Sequence, residues 1–124
     1  MARLLLSLLT SPVTAQPPDV APVRSRELTD IPGKEVLMLT VEYPPGGSDP
    51  VHRHEAHGFI DVLEGSVVMQ VQGGPAVTLT PGQTFDEGPD DVPVVGRHAS
   101  TTRPATCLVL VVKDQGAPTL VPVK

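Results

Sequence analysis

The stretch from His52 to Gly65, HRHEAHGFIDVLEG, decides the fold of this chain. Side chains alternate between the two faces of an extended strand, so His52 and His54 point the same way if this segment is a strand. An apolar Val-Leu pair and a Glu-Gly turn then end the segment at Gly65, and a second strand-like run follows. Two imidazoles on one face of a strand, just before a hairpin turn, predict half of a metal site inside a β-barrel.

These residues resemble the first motif of the cupin superfamily, usually written G-x5-H-x-H-x(3,4)-E-x6-G. Gly46, His52, His54 and Gly65 match that pattern, whereas Gly58 stands where the family carries a glutamate. In the family, the two histidines and the glutamate are metal ligands. The resemblance therefore implies a metal site that keeps both histidines and lacks the glutamate.

The second cupin motif, roughly G-x5-P-x-G-x2-H-x3-N, is matched only at its start. The segment from Pro81 to Phe85 is similar to the strand entry that precedes the motif. Gly88 and Asp90 then replace the proline and the second glycine, and Pro93 replaces the histidine that binds metal in the family. His98 falls near the position usually held by asparagine. Two of the four ligands of the family are thus replaced in this chain.

Composition and turn signals favour the same fold. The chain of 124 residues is long enough for one domain, and its 15 prolines and 11 glycines suit short strands joined by sharp turns. No stretch shows sustained helical periodicity. The resemblance, which extends over residues 36–113, implies an all-β, single-domain cupin-type jelly-roll β-barrel. Alternation and turn signals predict strands at 34–43, 52–54, 58–63, 66–72, 76–79, 83–86, 92–98, 106–113 and 119–123.

The first 33 residues precede the predicted barrel, which takes up residues 34–124. Residues 1–15 have the order of a secretory signal peptide, with a positive start at Arg3, a short apolar run and a small-residue cleavage site at Ala15. This predicts an exported protein, periplasmic or secreted; the alternative is an apolar N-terminal extension. The apolar run is too short for a stable membrane span. Residues 16–33 begin with a Pro-rich segment and predict an extended N-terminal arm.

A metal site needs at least three protein ligands, so His52 and His54 need a partner. His57 is the first candidate, and it would face the metal if the chain bulges at that point. Without a bulge, strand alternation sends His57 outward. His98 is the second candidate. It lies five residues after the expected ligand position, so its side chain would face the opposite side of the strand. The predicted site is therefore His52, His54 and His57, holding a divalent transition metal (zinc, iron, nickel, copper or manganese), or no metal at all.

Other polar residues are interpreted as structural. Cys107 is the single cysteine and lies in an apolar run, so we expect a buried core residue. Asp61 shares its parity with Phe59 and is predicted to lie outside the barrel. Four further acidic residues lack the spacing of a calcium loop, and we interpret them as a solvated loop. They are Asp86, Glu87, Asp90 and Asp91.

Two functions remain open from these residues. The first is an exported metallocupin that binds a small-molecule ligand in the barrel; the second is a metal-free cupin acting as a non-catalytic ligand-binding or sensory module. No general base or nucleophile stands out, so catalytic residues and an enzymatic reaction are not predicted. The net charge of −5 and the 2% aromatic content argue against a nucleic-acid surface. The family resemblance implies a homodimer in which one barrel packs its sheet and N-terminal arm on the other.

Overall fold

The structure is a computed structural model that describes residues 17–48, 52–53, 56–90, 93–98, 102–117 and 121–122, with the backbone alone at 52–53, 93–98 and 121–122. All the regular secondary structure in this part of the chain is β-strand. No helix in these residues could cross a membrane. The predicted signal peptide at residues 1–15 lies outside the described residues. The strands are β1 (Asp19–Glu27), β2 (Lys34–Tyr43), β3 (His52–Arg53), β4 (Ala56–Glu64), β5 (Val67–Val71), β6 (Val77–Leu79), β7 (Thr84–Glu87), β8 (Pro93–His98), β9 (Ala105–Asp114) and β10 (Val121–Pro122).

The described strands form three antiparallel groups. The largest sheet has the order β1-β2-β9-β4-β7, a smaller one has the order β6-β5-β8, and β10 pairs with β3. Strands that are distant in sequence become neighbours, since β9 pairs with β2 on one side and with β4 on the other, which is typical of a jelly roll. The predicted all-β jelly-roll fold is confirmed.

Alternation along β4 defines the two faces of the five-stranded sheet. One row of its side chains is buried and faces the core, and we call this the inner row. The opposite row contains residues that are exposed or half-buried, and we call the corresponding face of the sheet the outer face. Asp61 lies in this second row with Phe59, as predicted. The inner row consists of Ala56, Gly58, Ile60 and Val62.

The core holds two clusters of buried residues. The larger cluster joins the inner face of the five-stranded sheet to β5 and β6, and it includes Cys107, which is 1% exposed as expected for a core residue. The smaller cluster is Leu39, Ala56 and Val111. Along β4, Ala56 belongs to the smaller cluster and Ile60 to the larger, so Gly58 lies between the two. The larger cluster is Val41, Tyr43, Ile60, Val62, Val67, Met69, Leu79, Ala105 and Cys107.

The segment predicted as an extended arm forms the edge strand β1. It pairs antiparallel with β2, and every one of its residues is exposed. The register shifts between Pro22 and Arg24, which is where a proline that cannot donate a backbone hydrogen bond is tolerated in an edge strand. The division of the chain at residues 33 and 34 stays a prediction, although β1 is joined to the sheet of the barrel.

The turn after β4 explains the last glycine of the first motif. Gly65 has a φ of 74°, in the left-handed region that glycine adopts without strain. A Cβ at this position would lie 2.6 Å from the carbonyl oxygen of Pro104 and 2.8 Å from Cα of Ala105. Both the backbone conformation and the close approach of the chain before β9 therefore require glycine.

A partly buried ion pair joins β2 to the C-terminal end of β9. Lys113 is 7% exposed, and its Nζ donates hydrogen bonds to Oε1 of Glu35 and, at 2.8 Å, to the carbonyl oxygen of Ala117. The backbone N–H of Gly116 donates to the same Glu35 oxygen at 3.2 Å. The hydrogen bond from Lys113, with help from that of Gly116, holds the pKa of Glu35 below its ordinary value.

Candidate metal and ligand site

The His-x-His pair begins on a short strand. His52 lies in β3, where its Cα partner is Pro122 of β10, and β3 also contacts β8. The side chain of His52 and the whole of His54 lie outside the described residues. The predicted half-site on these two histidines therefore stays a prediction.

His57 lies on the outer face. Its Cα partner is Val112 of β9, its side chain is exposed, and it neighbours the buried Ala56 and Gly58 in the alternating pattern of β4. The only register shift between β4 and β9 comes later, between Val62 and Glu64. Because no bulge occurs at His57, its side chain points away from the core, which does not favour it as the third metal ligand.

The other candidate positions lie on β8. His98 is the Cα partner of Val67, and Pro93, which replaces the family histidine, is the partner of Val71. The side chains of this strand lie outside the described residues. The prediction that His98 is a ligand or a surface residue therefore stays open.

Gly58 leaves open space in the interior. The residue is buried in the inner row, yet a Cβ built on it would meet nothing within 4 Å in the described part of the chain. The cupin glutamate would occupy this space. Among the described residues, the inner row thus passes between the two core clusters without a side chain at Gly58.

A buried carboxylate lies beside this gap. Glu87 of β7 is the Cα partner of Gly58 and is 5% exposed, so its side chain belongs to the inner face. The prediction of a solvated loop is wrong for Glu87, whereas Asp86 and Asp90 are exposed as expected and Asp91 lies outside the described residues. The signal that the sequence offered is strand alternation. Glu87 follows the partly buried core residue Phe85 by two positions, so the two side chains lie on the same face of β7.

The chemistry of these residues fits a divalent metal. Imidazole is a usual ligand of divalent transition metals, and His52 and His54 would supply two imidazoles. Among the side chains that the structure describes, which omit the two histidines, no group of three suited to a metal gathers. The fit thus rests on the two imidazoles and on the open space at Gly58 among the described residues.

The outer face carries a shallow groove of about 230 Å³. It lies over β4, β7 and β9, so it is separate from the interior space at Gly58. Its lining is largely apolar, with two carboxylates at one side. The lining residues are Phe59, Ile60, Asp61, Thr84, Phe85, Asp86, Leu108 and Leu110.

A single cross-strand row runs through this groove and across the whole sheet. Successive Cα partners connect β1 to β2, β2 to β9, β9 to β4 and β4 to β7 on the outer face. The row has a cation at one end, an anion at the other and apolar side chains between them; Phe59 alone is 47% exposed. We call it the outer row, and it reads Arg24, Met38, Leu110, Phe59 and Asp86.

Several solved structures share the fold of this chain. The TT1209 protein from Thermus thermophilus is 24% identical, with a TM-score of 0.64 over 78% of this chain and 84% of that one. A cupin domain from Bordetella pertussis is 19% identical, with a TM-score of 0.61 over 81% and 97%. Oxalate oxidase, solved with the substrate analogue glycolate, is 21% identical, with a TM-score of 0.66 over 88% and 56%. No curated protein matches the chain. The model of the cupin domain family matches residues 39–111, more than half of the sequence, and the chain therefore belongs to that family.

Proposed function

We propose that this cupin domain binds a divalent transition metal through His52 and His54, together with a small-molecule ligand in the barrel interior. The observation that carries the proposal is the open space at Gly58 on the buried inner row, between the two core clusters. The match to the first cupin motif supports it, because that motif carries two metal-binding histidines in the family.

The residues of this chain would divide the work at such a site. The imidazoles of His52 and His54 would hold the metal, which when bound supplies Lewis-acid polarisation of a ligand oxygen. The apolar inner row, with Ile60 7% exposed and Val62 1% exposed, excludes water from one side of the space. The gap at Gly58 leaves room for a small ligand that carries oxygen atoms.

A metal-free ligand-binding cupin is the second candidate. It is favoured by the glycine and proline that stand at two of the four ligand positions of the family, Gly58 and Pro93. A domain of this kind would use the same interior space for a ligand without a metal, as a binding or sensory module. The two candidates differ in one measurable property, the metal content of the protein.

Elemental analysis of the purified protein tests the proposal. The protein is reconstituted in turn with zinc, iron, nickel, copper and manganese, beside His52→Ala and His57→Ala variants. Close to one metal ion per chain, lost in His52→Ala and kept in His57→Ala, supports a site in the interior. No retained metal in the wild-type protein would contradict it and leave the metal-free candidate.

The outer face is the proposed surface for a homodimer. Its outer row is apolar in the middle and oppositely charged at its two ends, Arg24 and Asp86. A two-fold axis that lies in the interface parallel to β9 would place β1 of each copy over β7 of the other. Arg24 of one copy would then meet Asp86 of its partner, while Leu110 and Phe59 pack across the axis. An isologous interface needs this kind of self-complementary surface.

Export is proposed from the N-terminal segment alone. The positive start, the apolar run and the small residues before Gln16 support removal of residues 1–15 during secretion. The test is the N-terminal sequence of the protein recovered from the periplasm or the medium. A chain that begins at Gln16 supports export, and an intact N-terminus on protein confined to the cytoplasm contradicts it.

A further inference from the structure

We propose that the groove on the outer face binds a small organic cation, in which an ammonium group is attached to an apolar body about the size of one aromatic ring. The inference goes beyond the proposed function, because the groove lies on the other side of the sheet from the barrel interior and its ligand needs no metal. It assigns a second ligand site to the domain.

The first step is the order of the side chains across the groove. Its outer-face residues come from three neighbouring strands, because β4 pairs with β9 on one side and with β7 on the other. The strand β9 contributes aliphatic side chains, β7 contributes polar ones, and β4 contributes one apolar and one acidic side chain between them. A molecule that lies across the strands would therefore meet an apolar end and an acidic end. These residues, from β9 to β7, are Leu108, Leu110, Phe59, Asp61, Thr84 and Asp86.

The second step is the charge at the acidic end. Asp86 is the direct partner of Phe59, and Asp61 lies two residues further along β4. The two carboxylates are therefore diagonal neighbours, and such neighbours in an antiparallel pair are roughly 7–8 Å apart, which leaves room for one cation to contact both. Among the described residues that line the groove, none is basic. The charge of the groove thus complements a ligand that is a cation.

The third step is the exposed aromatic ring beside these carboxylates. Phe59 is 47% exposed, although it lies on the middle strand of the groove next to two leucines. The face of an aromatic ring attracts ammonium groups, and carboxylates form charge-assisted hydrogen bonds with the same groups. A ring between an aliphatic side and an acidic side therefore suits a ligand that has both an apolar body and a cationic end.

The fourth step is the size of the groove. A cavity of about 150 Å³ in a protein holds one benzene molecule. The groove measures about 230 Å³, so it has room for one ring and a short chain that carries the cation. A free small molecule of this size, such as 2-phenylethylammonium, is the occupant that we assign to it.

The experiment is a titration of the isotope-labelled protein with 2-phenylethylammonium, followed by NMR spectra of the backbone amides. We expect saturable shifts confined to the groove strands and a dissociation constant of about 1 mM or tighter, which is within the affinity per atom of small ligands. The neutral 2-phenylethanol should bind at least about fivefold more weakly, because it forms no ion pair with the two carboxylates. Phenylacetate, which carries the opposite charge, should produce no saturable shifts.

Variants of the two carboxylates test their roles separately. Asp61→Asn and Asp86→Asn should each weaken binding of the cation by about two- to fivefold, the range for an exposed ion pair, and leave binding of the alcohol unchanged. The double variant should bind the cation no more tightly than the alcohol. Glu42→Gln is the matched control, since Glu42 is an exposed carboxylate of β2 outside the groove, and it should bind as the wild type does. Circular dichroism establishes that each variant is folded.

The titration is repeated with Arg24→Glu, because Arg24 of a second copy would lie at Asp86 in the proposed dimer and compete with the ligand. Binding by Arg24→Glu but not by a dimeric wild type supports the groove site and shows that the second copy covers it. No saturable shifts in either protein, equal affinity for the cation and the alcohol, or an equal loss in Glu42→Gln would overturn the proposal. A protein that retains no metal can still bind the cation, so failure of the proposed metal site is a separate result.

Discussion

Gly58 and Glu87 are direct partners across β4 and β7, and both are buried on the inner face of the five-stranded sheet. The residue without a side chain thus lies beside the residue with the buried carboxylate. This pair places the glycine that interrupts the first motif directly opposite a buried carboxylate in the interior of the barrel.

Replacing Gly58 by alanine should stabilise the domain by about 0.4–1 kcal/mol, because alanine reduces the conformational freedom of the unfolded chain and meets no steric obstacle here. The measurement is the free energy of unfolding in urea. A loss of stability of more than about 1 kcal/mol, the usual cost of overpacking a filled core, would show that the space beside Glu87 is already occupied.

Replacing Gly65 by alanine should destabilise the domain by at least about 2 kcal/mol. The left-handed backbone costs an alanine roughly 1–2 kcal/mol, and the overlap with Pro104 and Ala105 adds roughly 1–3 kcal/mol. Gly82 is the matched control, because its φ is 86° and a Cβ there meets nothing within 4 Å. Equal losses of unfolding free energy in Gly65→Ala and Gly82→Ala would contradict the close approach of the chain before β9.

The ion pair of Glu35 and Lys113 predicts a pH-dependent contribution to stability. The folded pKa of Glu35 is lowered from 4.5, mainly by the hydrogen bond from Lys113, so its contribution is fully present above about pH 4.5 and is lost as the pH falls through the lowered value. Glu35→Gln should therefore unfold at lower urea concentration than the wild type at pH 7. The difference in the urea concentration at which the two proteins unfold should narrow below pH 4.5.

The exposed pair of Lys34 and Asp114 provides the control for that series. Its two side chains are 43% and 69% exposed, so Asp114→Asn should change stability by no more than about 1 kcal/mol at any pH. If the difference in unfolding free energy between Glu35→Gln and the wild type stays constant from pH 7 to pH 3, the contribution assigned to the Glu35 carboxylate is contradicted.

The proposed dimer predicts a specific response to charge on the outer face. Phe59→Asp places a carboxylate at the centre of the apolar row and should weaken association by about 30-fold or more, the loss expected for a residue worth at least 2 kcal/mol. Val20→Asp is the control, since Val20 is 53% exposed on the opposite row of β1. Sedimentation velocity at several protein concentrations measures how strongly each variant dimerises.

The two charged ends of the row give the sharper form of the same test. Arg24→Glu and Asp86→Arg should each weaken the dimer by placing like charges opposite each other, and the double variant should restore it. A wild-type monomer at all concentrations, or single variants that dimerise as the wild type does, would exclude the proposed interface.

Alternation and turn signals were sufficient to predict most of the fold. The strand predicted at 34–43 has the bounds of β2, and all the other predicted strands correspond to strands in the described residues. The exception is β1, which has prolines, no apolar periodicity and no buried residue. Its pairing with β2 is a tertiary effect, and a sequence without periodicity gives no signal for it.

The interior site could be predicted only in part. Parity placed His57 outward in the absence of a bulge, and whether a bulge occurs depends on how β9 pairs with β4, which the sequence does not encode locally. Glu87 was hidden because it lies among acidic residues that are typical of a loop. Its place on the inner face becomes visible only when β7 is paired with β4, which brings residues 29 positions apart to face each other.

The most direct test of the metal site is a crystal structure of the protein grown with zinc, with diffraction data collected at the zinc absorption edge. We predict an anomalous peak in the barrel interior, within about 2.0–2.1 Å of an imidazole nitrogen of His52 and an imidazole nitrogen of His54. A peak confined to the exposed His57 on the outer face, or no peak in the interior, would contradict the account.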